Sequence, residues 1–368
     1  MAPAPQNTTL GELAQAAIAQ YLKHTVAYKK PVLADTDPED LHQMRVGLRR
    51  LRTAVQVFEA GLSLPKQGRE PRIAALGRKL GRLRDLDVTR ISLCDRYAPK
   101  LPADEHQSLG LVLLQLAKQR HKTFKRVKRL LKGKRYGKLT QALTDWVKNP
   151  TYRAVAALPA DQVMPDLVLP LVSQLWLHPG WLVGTTPSGL AIQSHLSPAA
   201  IDDLIADHGP VLHSLRKQVK RVRYQLRLVA DLYPGTLDAD IQRLSAMQDT
   251  LGELQDSEVL EDFIGSVVPD AKTQMPSLFA LLADSRHRAW AQWQSYQKHY
   301  LDVTQRQQLR LALLHPGPAQ QEQSASPAKS TKGSTPSTSR RRSTKGQPAA
   351  PKASRAKAKP TPQPPETP

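Results

Sequence analysis

Two stretches of the chain read almost alike: LHQMRVGLRRLR at residues 41–52 and LHSLRKQVKRVR at residues 212–223, an offset of 171. At that same offset, LGRLRD at 80–85 lines up with LGELQD at 251–256. Two separated blocks sharing one offset mark an internal repeat. The repeated unit is helical, because Leu41, Met44, Leu48, Leu51 and Val55 recur on one side of a 3.6-residue period. Leu212, Leu215, Val219, Val222 and Leu226 do the same in the second copy. No segment sustains period-two alternation, so the spacing predicts an all-α chain.

Working outward, Thr9 and Glu12 form a capping-box pattern that opens a helix over 9–29. Asp37 and Pro38 supply an N-cap and a first-turn proline for a helix reaching about residue 60, where Gly61 stops it. Further helices are expected over Ile73–Tyr97, Glu105–Lys132 and Tyr136–Val147, then over 198–207, 210–232, 237–268 and 275–302. The chain thus divides into a first copy at 9–148, an apolar Pro-rich insert or linker at 149–197 and a second copy at 198–302. The segment 316–368, rich in Pro, Ser, Thr and Lys, is expected to be a disordered basic tail. Trp176, Trp181, Trp290 and Trp293 are expected in a core or interface.

Charge points to the partner. The 368 residues carry 53 Lys+Arg against 32 Asp+Glu, a net charge of +21. The tail from Ala319 holds +8 of this and the body +13, so the basic character belongs to both. A single cysteine, Cys94, argues against disulfides, a Cys-based zinc site or a redox pair. No signal peptide or spanning segment is visible, so a cytoplasmic chain with a polyanionic partner is expected.

At about 100° per residue, Arg45, Arg49 and Arg52 fall along one shoulder of their helix beside His42. Arg216, Lys220 and Arg223 repeat this row beside His213, while Arg50 and Arg221 point away. No acid interrupts Met44 to Val57 or Val211 to Ala230. A lone basic stripe usually faces water; two position-matched ones suit a row of forked donors for phosphate oxygens. Arg78, Lys79 and Arg82 form another basic cluster, and residues 118–138, with Arg120, Lys122, Arg126 and Arg129, hold 11 Lys+Arg and no acid. Aromatics are scarce and none stands in the stripes, which disfavours stacking on bases.

With these blocks in view, the chain closely resembles the CHAD family, named for its histidine-bearing α-helical domain, over about residues 9–302. The His-x-x-Arg rows and the downstream Leu-Gly-x-Leu-x-Asp blocks carry the likeness. The resemblance implies two four-helix bundles related by a pseudo-two-fold axis. It also implies a basic groove or pore that binds inorganic polyphosphate without catalysis, and association with polyphosphate granules. The family's binding helix maps onto His42, Arg45, Arg49, Arg50 and Arg52, and onto His213, Arg216, Lys220, Arg221 and Arg223. Lys220 keeps the charge of its counterpart Arg49 but loses the fork.

Rival readings are nonspecific binding of a nucleic-acid backbone, above all RNA, metal-dependent hydrolysis of short polyphosphates through Asp85 and Asp256, and a plain helical scaffold. Structural roles are expected of both aspartates, orienting Arg84 or capping a helix. The two histidines lack a second His at helical spacing, so neither a metal nor a cofactor is called for.

Overall fold

The computed structural model describes residues 8–186, 191–193 and 195–317, and among them twelve α-helices and no strand. In chain order these are α1 (Leu10–Ala27), α2 (Lys29–Ala34), α3 (Pro38–Val57), α4 (Glu70–Ile91), α5 (His106–Lys132) and α6 (Lys134–Lys148). There follow α7 (Ala160–Trp176), α8 (Pro198–Val229), α9 (Asp238–Gly265), α10 (Ala271–Gln274), α11 (Pro276–Leu301) and α12 (Val303–Leu314). The expected tail at 316–368 lies outside the described residues apart from its first two. No described helix is long and apolar enough to cross a membrane.

The starts follow local chemistry. Thr9 accepts from the Glu12 amide at 3.2 Å while Glu12 accepts from the Thr9 amide at 2.9 Å, closing the capping box. Asp37 caps α3 through the Glu39 amide at 2.7 Å, and Ser197 caps α8 through the Ala200 amide at 3.2 Å.

Two elements differ from the sequence expectation because burial of apolar faces on both sides of each proline holds the helix together across it. The stretches expected at 198–207 and 210–232 are one helix, with Pro210 inside it. Ala206, four residues earlier, is exposed, while Ile205 and Leu212 hold the helix to the core on either side. The segment expected to be an insert or linker carries α7, which contains Pro165 and Pro170. Met164, Val168, Val172 and Leu175 are all 0% exposed, and the carbonyls the prolines leave unpaired belong to exposed Asp161 and Asp166. Residues 151–160 are pinned to the first copy: Leu10 donates to Leu158 O at 2.9 Å and Arg153 to Gly61 O at 2.9 Å.

Beyond residue 302, α12 buries Leu309 and Leu313, and Tyr233 donates to Leu313 O at 3.0 Å. Trp176, Trp181, Trp293 and Tyr300 pack together, with Trp181 and Trp293 stacked at 5.5 Å. The main core runs from Leu10 to Leu313 and so draws on both halves of the chain. A second core joins Leu93, Leu109, Val112 and Leu116 to Leu260, Ile264, Leu278 and Leu282. Between the halves, α3 packs against α8. That packing brings the two basic rows face to face.

Candidate functional site

Arg45, Arg49 and Arg52 of the α3 row and Lys220 of the α8 row line a cleft of about 530 Å³ whose other wall is α4. The apolar sides of α3 and α8 are buried, with Leu41, Met44, Leu48 and Leu51 on α3 and Leu212, Leu215, Val219 and Val222 on α8. The cations are left on the shoulders, half-buried.

The glycine of each Leu-Gly-x-Leu-x-Asp block seats one arginine. Arg45 donates through Nη1 to Gly77 O at 3.1 Å, and a Cβ placed on Gly81 would lie 2.6 Å from that nitrogen. In the second copy Arg216 donates through Nε to Gln248 O at 3.4 Å, and a Cβ on Gly252 would lie 2.8 Å from its Nη2. Positions 45, 77 and 81 thus correspond to 216, 248 and 252 at the offset read from the sequence.

Farther along, Arg49 donates to the Tyr224 hydroxyl at 2.7 Å and lies 4.9 Å from the ring centroid. Arg223 packs 4.5 Å from the same ring and donates to Ser245 Oγ at 3.1 Å, while its buried Nε has no partner. The sequence expectation that no aromatic stands in the stripes is therefore corrected. Tyr224, next to Arg223 in sequence, spaces two guanidinium groups, and its packing against both makes it a poor platform for a base. Its α8 position one residue past the repeated block was the available signal.

Among the described residues no salt bridge reaches Arg45, Arg49, Arg216, Lys220 or Arg223. Burial pulls Arg45 below its ordinary pKa, and Arg49 and Arg84 add to the effect. Arg49 is lowered for the same first reason, with Arg223 and Arg216 contributing. Lys220 responds most: burial, followed by Arg49, Arg216, Arg45 and Arg223, brings its pKa down to about 7.

Two carboxylates face these cations. Asp85 and Asp256 are pushed up by burial, opposed chiefly by Arg45 at the first and Arg216 at the second. Asp85 also raises Asp256, so the matched acids sense each other across the repeat. The helix-capping and Arg-orienting roles expected of them are not what they do: among the described residues neither pairs with a cation within 4 Å or caps a helix. That structural work falls to Asp87, which is buried and accepts from Arg120 Nε at 2.6 Å.

The other expected site residues scatter. Arg78, Arg82 and Arg221 are exposed and line the same cleft. Arg52 lines it too but is engaged, at 2.5 Å, by Glu70. Arg50 lines a separate cavity of about 480 Å³ on the other side of Tyr224, with Tyr21 and Arg227. Lys79 lies with Arg135 and Lys138 between α4 and α6. Arg120 does not join the row: it grips both Asp35 oxygens, at 2.9 and 2.6 Å, besides Asp87. These partners raise its pKa, its hydrogen bonds to Asp35 first. Lys122, Arg126 and Arg129 are exposed along α5 and do not line the cleft. His42 is half-buried, and burial and then Arg84 lower its pKa. His213 pairs with the Gln255 side chain and is lowered first by burial.

Compared with known proteins, the CHAD domain model matches residues 16–265. Among solved structures, the fold is similar to that of the CHAD domain from the plant Ricinus communis, with 23% identity, a TM-score of 0.50, and 84% of this chain and 93% of that one covered. It is also similar to PptA from Streptomyces chartreusis, with 13% identity, a TM-score of 0.57, and 79% and 99% covered. At these identities the likeness to both structures is one of fold. No curated protein matches the sequence.

Proposed function

Because this chain belongs to the CHAD family, we propose that the cleft between α3, α4 and α8 binds inorganic polyphosphate, holding the polymer without breaking it. One observation carries the reading: half-buried Arg45, Arg49 and Lys220, from two helices, line a shared cleft with Arg216 and Arg223 flanking Lys220 on α8, and none of the five is in a salt bridge among the described residues. Like charges gathered in this way repel one another in the empty protein. A polyanion relieves that repulsion, and a uniform phosphate chain offers the same oxygens to both copies of the row. The exposed Arg78, Arg82 and Arg221 extend the path to the cleft mouth. Association with polyphosphate granules follows where a cell stores the polymer.

Titration of the full chain with long-chain polyphosphate and with single-stranded RNA, at equal phosphate concentration, tests the reading. Tighter binding of polyphosphate, with no orthophosphate released in the presence of magnesium, is the expected result. Equal affinity for RNA would reassign the cleft to general backbone binding, and steady phosphate release would make the protein a hydrolase.

A further inference from the structure

We propose that Lys220 is an acylation site, at which acyl phosphates transfer their acyl group to the side-chain amine and leave phosphate behind. The geometry comes first. Lys220 lies on α8 at the cleft wall, half-buried but open to the cleft, and among the described residues no carboxylate lies within 4 Å of its amine. The groups that act on its charge are Arg45 and Arg49 from α3, Arg216 and Arg223 from α8, Asp85 from α4 and Asp256 from α9. Arg45 and Arg49 line the same cleft, and Arg216 and Arg223 flank Lys220 at i−4 and i+3 on α8, so four guanidinium groups act on one amine and favour its unprotonated, nucleophilic form. Burial adds to this, and the pKa of about 7 means that much of the amine is free near neutrality. On the anion-binding reading the same guanidinium groups dock the phosphate of the reagent next to the amine; the docked charge draws the amine partly back to its protonated form, so transfer uses the fraction that stays free.

The step balances without an oxidant. The Nζ lone pair attacks the acyl carbonyl carbon, and the new N–C bond forms as the C–O bond to phosphate breaks. The electron pair leaves on the phosphate oxygen, which takes the amine proton directly or through water. The product amide is neutral, so acylation removes one charge from the row and weakens its hold on a polyanion. The docking of the phosphate rests on the anion-binding reading of the cleft; the reactivity of the amine does not.

The test treats the full chain with acetyl phosphate from pH 6 to 10 and reads the initial acetylation rate at each lysine by mass spectrometry. At pH 7 an amine with a pKa near 7 is roughly a thousandfold richer in free base than an ordinary lysine, partly offset by lower intrinsic nucleophilicity. Lys220 should therefore outpace exposed Lys79 and Lys122 at least tenfold, with a rate that levels off above about pH 8 for a neutral acylating reagent and at higher pH for acetyl phosphate, whose charge draws the proton back to the amine. Tripolyphosphate should suppress labelling at Lys220 and leave the other two unchanged. Parallel labelling with neutral acetic anhydride separates the two parts. Fast reaction with the anhydride but not with acetyl phosphate would overturn the docked transfer, and a slow Lys220 with both reagents would overturn the free amine. Polyphosphate affinity, measured separately on the same sample, reports on the binding reading independently: a slow Lys220 with tight binding overturns this proposal alone.

Discussion

At the scale of residues, the cleft sets stability against binding through Lys220. In the folded, unliganded chain its pKa is about 7, well below that of an unfolded lysine. The unfolded chain therefore binds more protons between pH 7 and about 10, and on this group's account stability rises with pH across that window. Below pH 7 the crowding is fully present. Lys220→Met should raise the melting temperature at pH 6 while weakening polyphosphate binding; a lower melting temperature would show that the amine makes a favourable interaction. A bound polyanion draws the amine back to its charged form, so affinity should fall as pH rises from 7 to 9 and Lys220→Arg should flatten that fall. From the sequence, such a pH term would be expected of His42 and His213 between pH 8 and 6. Burial moves both histidines downward, which leaves the window above neutrality to Lys220. Changing Arg45 and Arg49 together to Ala removes two forks. At ~1.5–3 kcal/mol per charge-assisted bond, affinity should fall at least about tenfold. The slope of log affinity against log salt should become shallower by roughly one unit for each phosphate no longer neutralised. An unaltered slope with lower affinity would point to misfolding instead.

At the scale of elements, glycine decides how close an arginine comes to its neighbouring helix. A Cβ at Gly81 or Gly252 would strike the end of a flexible side chain, not backbone. Gly81→Ala with Gly252→Ala should thus keep or raise thermal stability, since Ala is the better helix former by about 1 kcal/mol. Polyphosphate affinity should drop all the same, as both guanidinium groups are displaced. A loss of stability would mean that Arg45 and Arg216 cannot move. A different device joins the halves: Glu105, 1% exposed, accepts from the Ser277 and Leu278 amides at 2.7 and 3.1 Å and so caps α11. Glu105→Ala leaves two amides unpaired in a buried place, and chemical denaturation should register a loss of about 1–3 kcal/mol. A negligible change would show that water reaches the start of α11.

At the scale of the whole molecule, the two halves depend on each other. Both hydrophobic cores contain residues from either half, and the 149–197 segment adds α7 to the larger one. Fragments 1–148 and 149–317, produced separately, should give no cooperative melt, because each would expose the faces it shares with the other. A cooperative melt from either fragment alone would show that the shared cores are dispensable. The arrangement also bears on function, since the cleft exists only where α3 of one half meets α8 of the other.

The all-α class, most helix starts and the two basic rows were legible in the sequence, because capping, apolar period and repeat are local patterns. Asp37 before Pro38 and the matched His-x-x-Arg blocks needed no neighbour to be recognised. Only the tertiary structure decided which cations form the site. Arg120 and Arg49 look alike in the chain, yet one is held by the carboxylates of Asp35 and Asp87 and the other donates to the Tyr224 hydroxyl with no carboxylate partner among the described residues. It likewise decided that Pro165, Pro170 and Pro210 sit inside helices, because the apolar faces buried on either side offset what each proline costs. Charge on a residue is a property of sequence. Whether that charge is paired, buried or free depends on distances between segments far apart in the chain, and those follow from packing.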